Sequence, residues 1–122
     1  MKEAVEELRS YFELGNNWDG EGAEPPRASA IKDAMRFLRI IHRHTDKVPT
    51  PCVHTHGSVA LVWDASSGIT WAELEFTGFG TIIYYMIIEG EKIKGITTFG
   101  SLNVPRLKDK QKTPAPDIRD LY

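Results

Sequence analysis

This chain of 122 residues has a single cysteine: Cys52 leaves no intramolecular disulfide and predicts a fold held by an apolar core. Charge of either sign is nearly balanced. With 15 Lys and Arg against 17 Asp and Glu the net charge is −2, so the field of the whole molecule neither gathers nucleic acid nor imitates it. No stretch approaches the roughly 20 consecutive apolar residues of a bilayer span. The opening MKEAVEELRS is charged and amphipathic, unlike the apolar segment of a secretion signal. These absences predict one domain in a cytoplasmic, reducing compartment, with neither membrane nor nucleic acid as its partner. Internal repeats, catalytic signatures and cofactor fingerprints are also missing, so the expectation is a non-enzyme without a cofactor.

What is present is clear periodicity. Ala4, Val5, Leu8, Tyr11, Phe12 and Leu14 recur at helical spacing and predict a short amphipathic helix over residues 2–14, ended by Gly15. Pro25 and Pro26 suit the start of a second helix, in which Ile31, Ala34, Met35, Leu38 and Ile41 trace one face as far as His44 or Thr45. Past the connector VPTPC, apolar residues alternate instead. The runs GSVALVWD, ITWAELEFT, TIIYYMIIE and KIKGITTF, separated by SSG, GFG and EGE, predict four antiparallel strands in a meander. The expected fold is α+β, with two N-terminal helices packed on one face of a four-stranded antiparallel meander sheet over residues 1–100. Residues 101–122 lose periodicity and gain proline and charge, which predicts a tail ordered only where Leu102, Val104, Leu107 or Ile118 docks.

The register of the strands determines which residues face outward. A two-residue Gly78-Phe79 turn would pair Glu75 with Ile82, Glu73 with Tyr84 and Trp71 with Met86. Ile83, Tyr85 and Ile87 would then enter the core with Ala72, Leu74 and Phe76. Ile82, Tyr84, Met86 and Ile88 would join Trp71 outside, and a three-residue turn over residues 89–91 would add Lys92 and Lys94 to that outer face. Such a band, acidic on one flank and basic on the other, predicts a protein interface. A homodimer fits it, with the Glu73 and Glu75 flank of one copy against the Lys92 and Lys94 flank of the other.

The densest local signal is GNNWDGEGAEPPR, residues 15–27. Trp18 is large enough to plug a junction between helices and sheet, Asp19-Gly20 favours a turn, and Asn17 or Asp19 can bond nearby amides. A cation site built from Asn16, Asn17, Asp19, Glu21 and Glu24 is the competing reading, but it lacks the ligand spacing of a calcium loop. Asn17, Trp18, Asp19, Gly20, Gly22, Ala23 and Pro25 form a motif that resembles a family of short, mostly uncharacterised bacterial and phage proteins. Their chains run NWDGxGA, then a proline, a helix and a strand meander. The resemblance extends to about residue 99 and implies a phage or bacterial setting, but it implies no activity.

All four histidines fall between residues 42 and 56. On an extended segment Cys52, His54 and His56 would point the same way, a conceivable zinc set, although the paired-ligand spacing of known zinc modules is missing. His42, Arg43 and His44 alternatively suit a helix C-terminus. Cys52 beside histidines offers a thiolate pair without an oxyanion donor. Glu73 and Glu75 offer a carboxylate pair of the glycosidase kind or a solvated flank, and Arg106, Lys108, Lys110 and Lys112 form a sparse basic run in the tail. The function these features predict is a non-enzymatic protein-binding module of a mobile-element or host-conflict system, anti-CRISPR-like or antitoxin-like, acting by stoichiometric binding to a protein partner whose identity the sequence does not carry. The alternative is a small-ligand or metal-binding protein using Cys52, His54 and His56, or a cavity near Trp18.

Overall fold

A computed structural model describes residues 2–42, 48–64, 69–88 and 90–98. The order is helix α1 (Lys2–Ser10), a 3-10 turn (Tyr11–Glu13), helix α2 (Ala28–Ile41), then strands β1 (Thr50–Val53), β2 (Val59–Trp63), β3 (Ile69–Phe76), β4 (Thr81–Ile88) and β5 (Glu91–Thr98). The strands form one antiparallel meander in sequence order. The α+β class and the antiparallel meander hold. The sheet has five strands rather than four, because the stretch around Pro51 that reads as a connector pairs with β2 from Thr50↔Val62 to Val53↔Val59. A proline within so short a run hides a strand, yet at a sheet edge it is tolerated. The tail over residues 101–122, the SSG turn and the helix extension toward His44 or Thr45 lie outside the described residues.

Both helices cover one face of the sheet. Helix α2 buries Ala30, Ile31, Ala34, Met35, Phe37, Leu38 and Ile41, all the residues its periodicity marks together with Ala30 and Phe37. Phe37 is the wedge: its ring meets Trp63 edge-on at 6.3 Å between centroids and lies 5.8 Å from Phe76. Ala4, Leu8 and Tyr11 bring the first helical segment onto the same cluster, with Val59 and Leu61 of β2 and Ala72 and Leu74 of β3.

The second half of the core comes from β4, and here the expected register is overturned. Phe76 pairs with Ile82, Glu75 with Ile83, Glu73 with Tyr85 and Trp71 with Ile87. The Thr77 amide donates to the Thr81 carbonyl at 3.2 Å, so the loop between them holds three residues, Gly78, Phe79 and Gly80, rather than two. Gly78 and Gly80 both have positive φ, at 87° and 86°. A Cβ on Gly78 would also lie 2.8 Å from Ser29 Oγ, so only glycine suits that corner. One extra loop residue exchanges the faces of β4. Ile82, Tyr84 and Met86 are therefore core residues, each no more than 3% exposed, and not part of an outer surface. The outer positions belong to Ile83, Tyr85 and Ile87. A second departure offsets the first for β5: Ile88 pairs with Glu91, so two residues separate these strands rather than three, and Lys92 and Lys94 still reach the outer face. Opposite the buried Tyr84 lies Gly95, where any Cβ would overlap the phenol ring.

Arg27 fastens this framework at one end. Its Nη1 donates to the Thr77 carbonyl at 2.9 Å, its Nη2 to the His56 carbonyl at 3.1 Å, and the guanidinium sits 4.4 Å from the Phe79 ring centroid. Ser29 Oγ donates to the Gly78 carbonyl at 2.7 Å. The start of α2 thus holds both the β1–β2 and β3–β4 turns. Arg27→Ala should destabilise the fold by about 2 kcal/mol, as two charge-assisted hydrogen bonds and a cation–π contact are lost together. Urea unfolding measures this, and a change below about 0.5 kcal/mol would mean that the turns hold themselves. The register has a sharper check in adjacent tyrosines. Tyr84→Asp should cost more than about 3 kcal/mol by burying a carboxylate, whereas Tyr85→Asp should change the monomer's stability by less than about 1 kcal/mol. Comparable losses at both positions would contradict the register.

Candidate functional site

The tryptophan loop folds around its own backbone. The side-chain oxygen of Asn17 accepts the Gly22 amide, and Asp19 Oδ1 accepts the amides of Glu21 at 2.8 Å and Ala23 at 3.1 Å. These amide hydrogen bonds, the one from Glu21 foremost, hold the Asp19 carboxyl below its ordinary range. Asn17 itself takes the left-handed conformation, with φ 60°. Trp18 is half-buried, so it is not the plug between helices and sheet that its size suggests; its indole N–H donates to the Glu24 carbonyl at 2.7 Å and closes the loop. Gly20 and Gly22 carry positive φ, and Pro25 sits within the stretch that lies against the first hairpin. There the Glu24 amide donates to the Thr55 carbonyl and the Arg27 amide to the Gly57 carbonyl, both at 2.8 Å. Of the side-chain oxygens in the expected cation set, Asn17 Oδ1 and Asp19 Oδ1 are used on amides.

The chemistry gathers instead on the outer face, at the end that this loop and Arg27 support. Glu73 and Glu75 stand two apart on β3 and share that face, and the first hairpin hangs His54, His56 and Ser58 over them. The turn is tight, with the His54 amide donating to the Ser58 carbonyl at 3.0 Å and the Gly57 amide to the His54 carbonyl at 3.1 Å. His54 Nε2 is 3.2 Å from Glu73 Oε2 and 3.9 Å from Glu75 Oε1. His56 Nε2 is 3.0 Å from Glu75 Oε2, and the same oxygen accepts Ser58 Oγ–H at 2.7 Å. The two imidazole rings lie side by side, 5.5 Å apart.

Strands β1 and β3 are not neighbours. The side chains meet across β2 because Ala60 of that strand and Ser58 just before it are both small and fully buried. Glu75 is only 7% exposed, so neither it nor Glu73 is the solvated flank of the sequence-based expectation. Burial by itself raises the Glu75 carboxyl, but the hydrogen bonds from Ser58 and His56 and the nearby imidazoles outweigh it and hold the group below the ordinary glutamate range. One atom each from His54, Glu73 and Glu75 lie within 4.8 Å of one another, close enough to hold a metal ion. Cys52 shares the face but not the group: its thiol is 3.9 Å from its acceptor, the Thr50 carbonyl. Burial, with Glu73 and then Glu7 adding negative charge, pushes that thiol up, which makes it a poor nucleophile. The group that the structure brings together is thus not the alternative set of Cys52, His54 and His56 but His54 with two carboxylates from β3.

Beyond the carboxylates the outer face becomes apolar. Trp71, Tyr85 and Ile87, with Lys92 and Lys94, border a groove of about 270 Å³, and Ile96 stands 70% exposed further along β5. The interface residues expected from sequence divide accordingly. Trp71, Lys92 and Lys94 lie in the groove, Glu73 and Glu75 lie in the histidine cluster, and Ile82, Tyr84 and Met86 lie in the core. The paired carboxylates were identifiable from the alternation in WAELEF, and the histidines from CVHTH. Their meeting was not, since it depends on a strand that a proline disguises. Comparison with protein-family models, with curated proteins and with solved structures finds no match.

A carboxyl held below its ordinary pKa stabilises the fold above the unfolded-state value and loses that contribution as pH falls through the lowered folded value. Glu75 should therefore contribute fully above about pH 5 and progressively less on acidification. Ser58→Ala removes one of its donors, so the stability gap between wild type and variant should be widest near neutrality and narrow below about pH 4. Urea titrations across this range check the sign, and a gap independent of pH would show that Ser58 acts through packing alone.

Proposed function

We propose that this chain is a non-enzymatic protein-binding module that acts by stoichiometric contact through the outer face of β3 to β5. The observation that carries the reading is the groove of Trp71, Tyr85 and Ile87, which among the described residues is open on the face opposite both helices and edged by the exposed Lys92 and Lys94. Aromatic and aliphatic side chains ringed by charge are the usual composition of an interface centre and its rim. A mobile-element or host-conflict role, as an inhibitor or antitoxin-like partner, belongs to this proposal through the likeness of the NWDGxGA loop to bacterial and phage chains.

The partner proposed is a second copy. Glu73, Tyr85 and Lys94 occupy one row across three adjacent strands. A two-fold axis lying between two stacked sheets and parallel to β4 sets Lys94 of one copy over Glu73 of the other, with the two Tyr85 rings between them. The tyrosine is the natural anchor of such a contact.

Sedimentation equilibrium of the full chain in chelator-containing buffer, at tens of micromolar, roughly where ordinary interface affinities show, should give twice the 13.8 kDa chain mass. Tyr85→Glu should yield a folded monomer, with dimerisation weakened by about 2 kcal/mol or more. A wild-type monomer throughout the range, or a Tyr85→Glu variant that remains dimeric, would remove the second copy as the occupant.

A further inference from the structure

We infer that His54, Glu73 and Glu75 form a three-ligand site for a divalent transition-metal ion of the zinc class. The donor atoms already stand close to the required geometry. A tetrahedral ion with nitrogen and oxygen ligands at about 2.0–2.1 Å separates its ligand atoms by about 3.3 Å. His54 Nε2 lies 3.2 Å from Glu73 Oε2 and 3.9 Å from Glu75 Oε1, and the three groups fit within 4.8 Å. Small movements of side chains, without any of the backbone, close the set around an ion. Water takes the fourth position.

The surroundings have the form of an outer coordination shell. Glu75 gives its Oε2 to Ser58 Oγ–H and to His56, which fixes the carboxylate and turns Oε1 toward His54. The platform is rigid, because β3 is paired on both sides and the hairpin carrying His54 is held by the guanidinium of Arg27 at the His56 carbonyl. Charge points the same way. Two carboxylates, 14% and 9% exposed at the side chain, stand together, and among the described residues their only ion-pair partners are imidazoles. Covered negative charge without lysine or arginine is the setting that a divalent cation offsets. One imidazole and two carboxylates suit zinc, cobalt or manganese, and offer too few oxygens for calcium.

The test is titration of the untagged, metal-free chain with Zn²⁺ by calorimetry and with Co²⁺ by visible absorption. One ion per chain should bind, with the intense absorption of tetrahedral cobalt. His54→Gln and Glu73→Gln should each weaken binding at least tenfold while circular dichroism of the metal-free variants matches wild type. Ser58→Ala should weaken it by about 10–100-fold, the usual effect of losing an outer-shell partner. Cys52→Ser should bind as wild type does. Absence of binding by wild type below about 100 μM would overturn the site. So would undiminished affinity in both His54→Gln and Glu73→Gln, or loss of binding in Cys52→Ser, which would return the metal to the thiol.

Discussion

The three-residue turn of Gly78, Phe79 and Gly80 is the constraint from which the rest of the structure follows. β4 is apolar on both faces, so hydrophobicity alone gives it no preferred orientation. Loop length supplies the missing information. With three residues in the loop, Phe76 pairs with Ile82, and Tyr84 and Met86 turn toward the helices. With two, Tyr85 and Ile87 would fill the core instead, and the aromatic surface would carry different residues. Two glycines in left-handed conformations fix that choice locally. Arg27 and Ser29 then fix it from a distance, because they bond the carbonyls of Thr77 and Gly78.

Arg27 also explains why the tryptophan loop is built as it is. A loop of glycines, prolines and side-chain caps delivers the arginine to the start of α2, where one guanidinium reaches two turns from separate hairpins. One of these turns carries His54 and His56. Asn17, Trp18 and Asp19 contribute by closing the loop on its own amides and carbonyl. The motif is a joint, and the chemistry it supports lies on the far side of the hairpin.

The outer face is divided by size. Over β1 to β3, the small residues Ser58 and Ala60 let long polar side chains cross β2 and gather two carboxylates under two imidazoles. Over β3 to β5, Trp71, Tyr85 and Ile87 leave no such room and present an apolar surface with lysines at its rim. Proposed metal and proposed partner therefore occupy neighbouring territories that share Glu73. Occupancy of the one bears on the charge offered to the other.

Local periodicity determined the α+β class, the positions of both helices, most of the strands and the inner face of α2, since each depends on residues within a turn or two of one another. The propensity of Asp, Asn and Gly to satisfy nearby amides likewise made the loop's structural role readable from GNNWDGEGA alone. Tertiary structure decided what hinged on single-residue differences or on distant pairing. These were the face of β4, the strand hidden around Pro51, the half-burial of Trp18 and the meeting of His54 with Glu73 and Glu75. An alternating strand carries no mark of which face is inside until a turn of definite length joins it to its neighbour. His54 meets Glu73 and Glu75 only because the small Ser58 and Ala60 lie between them.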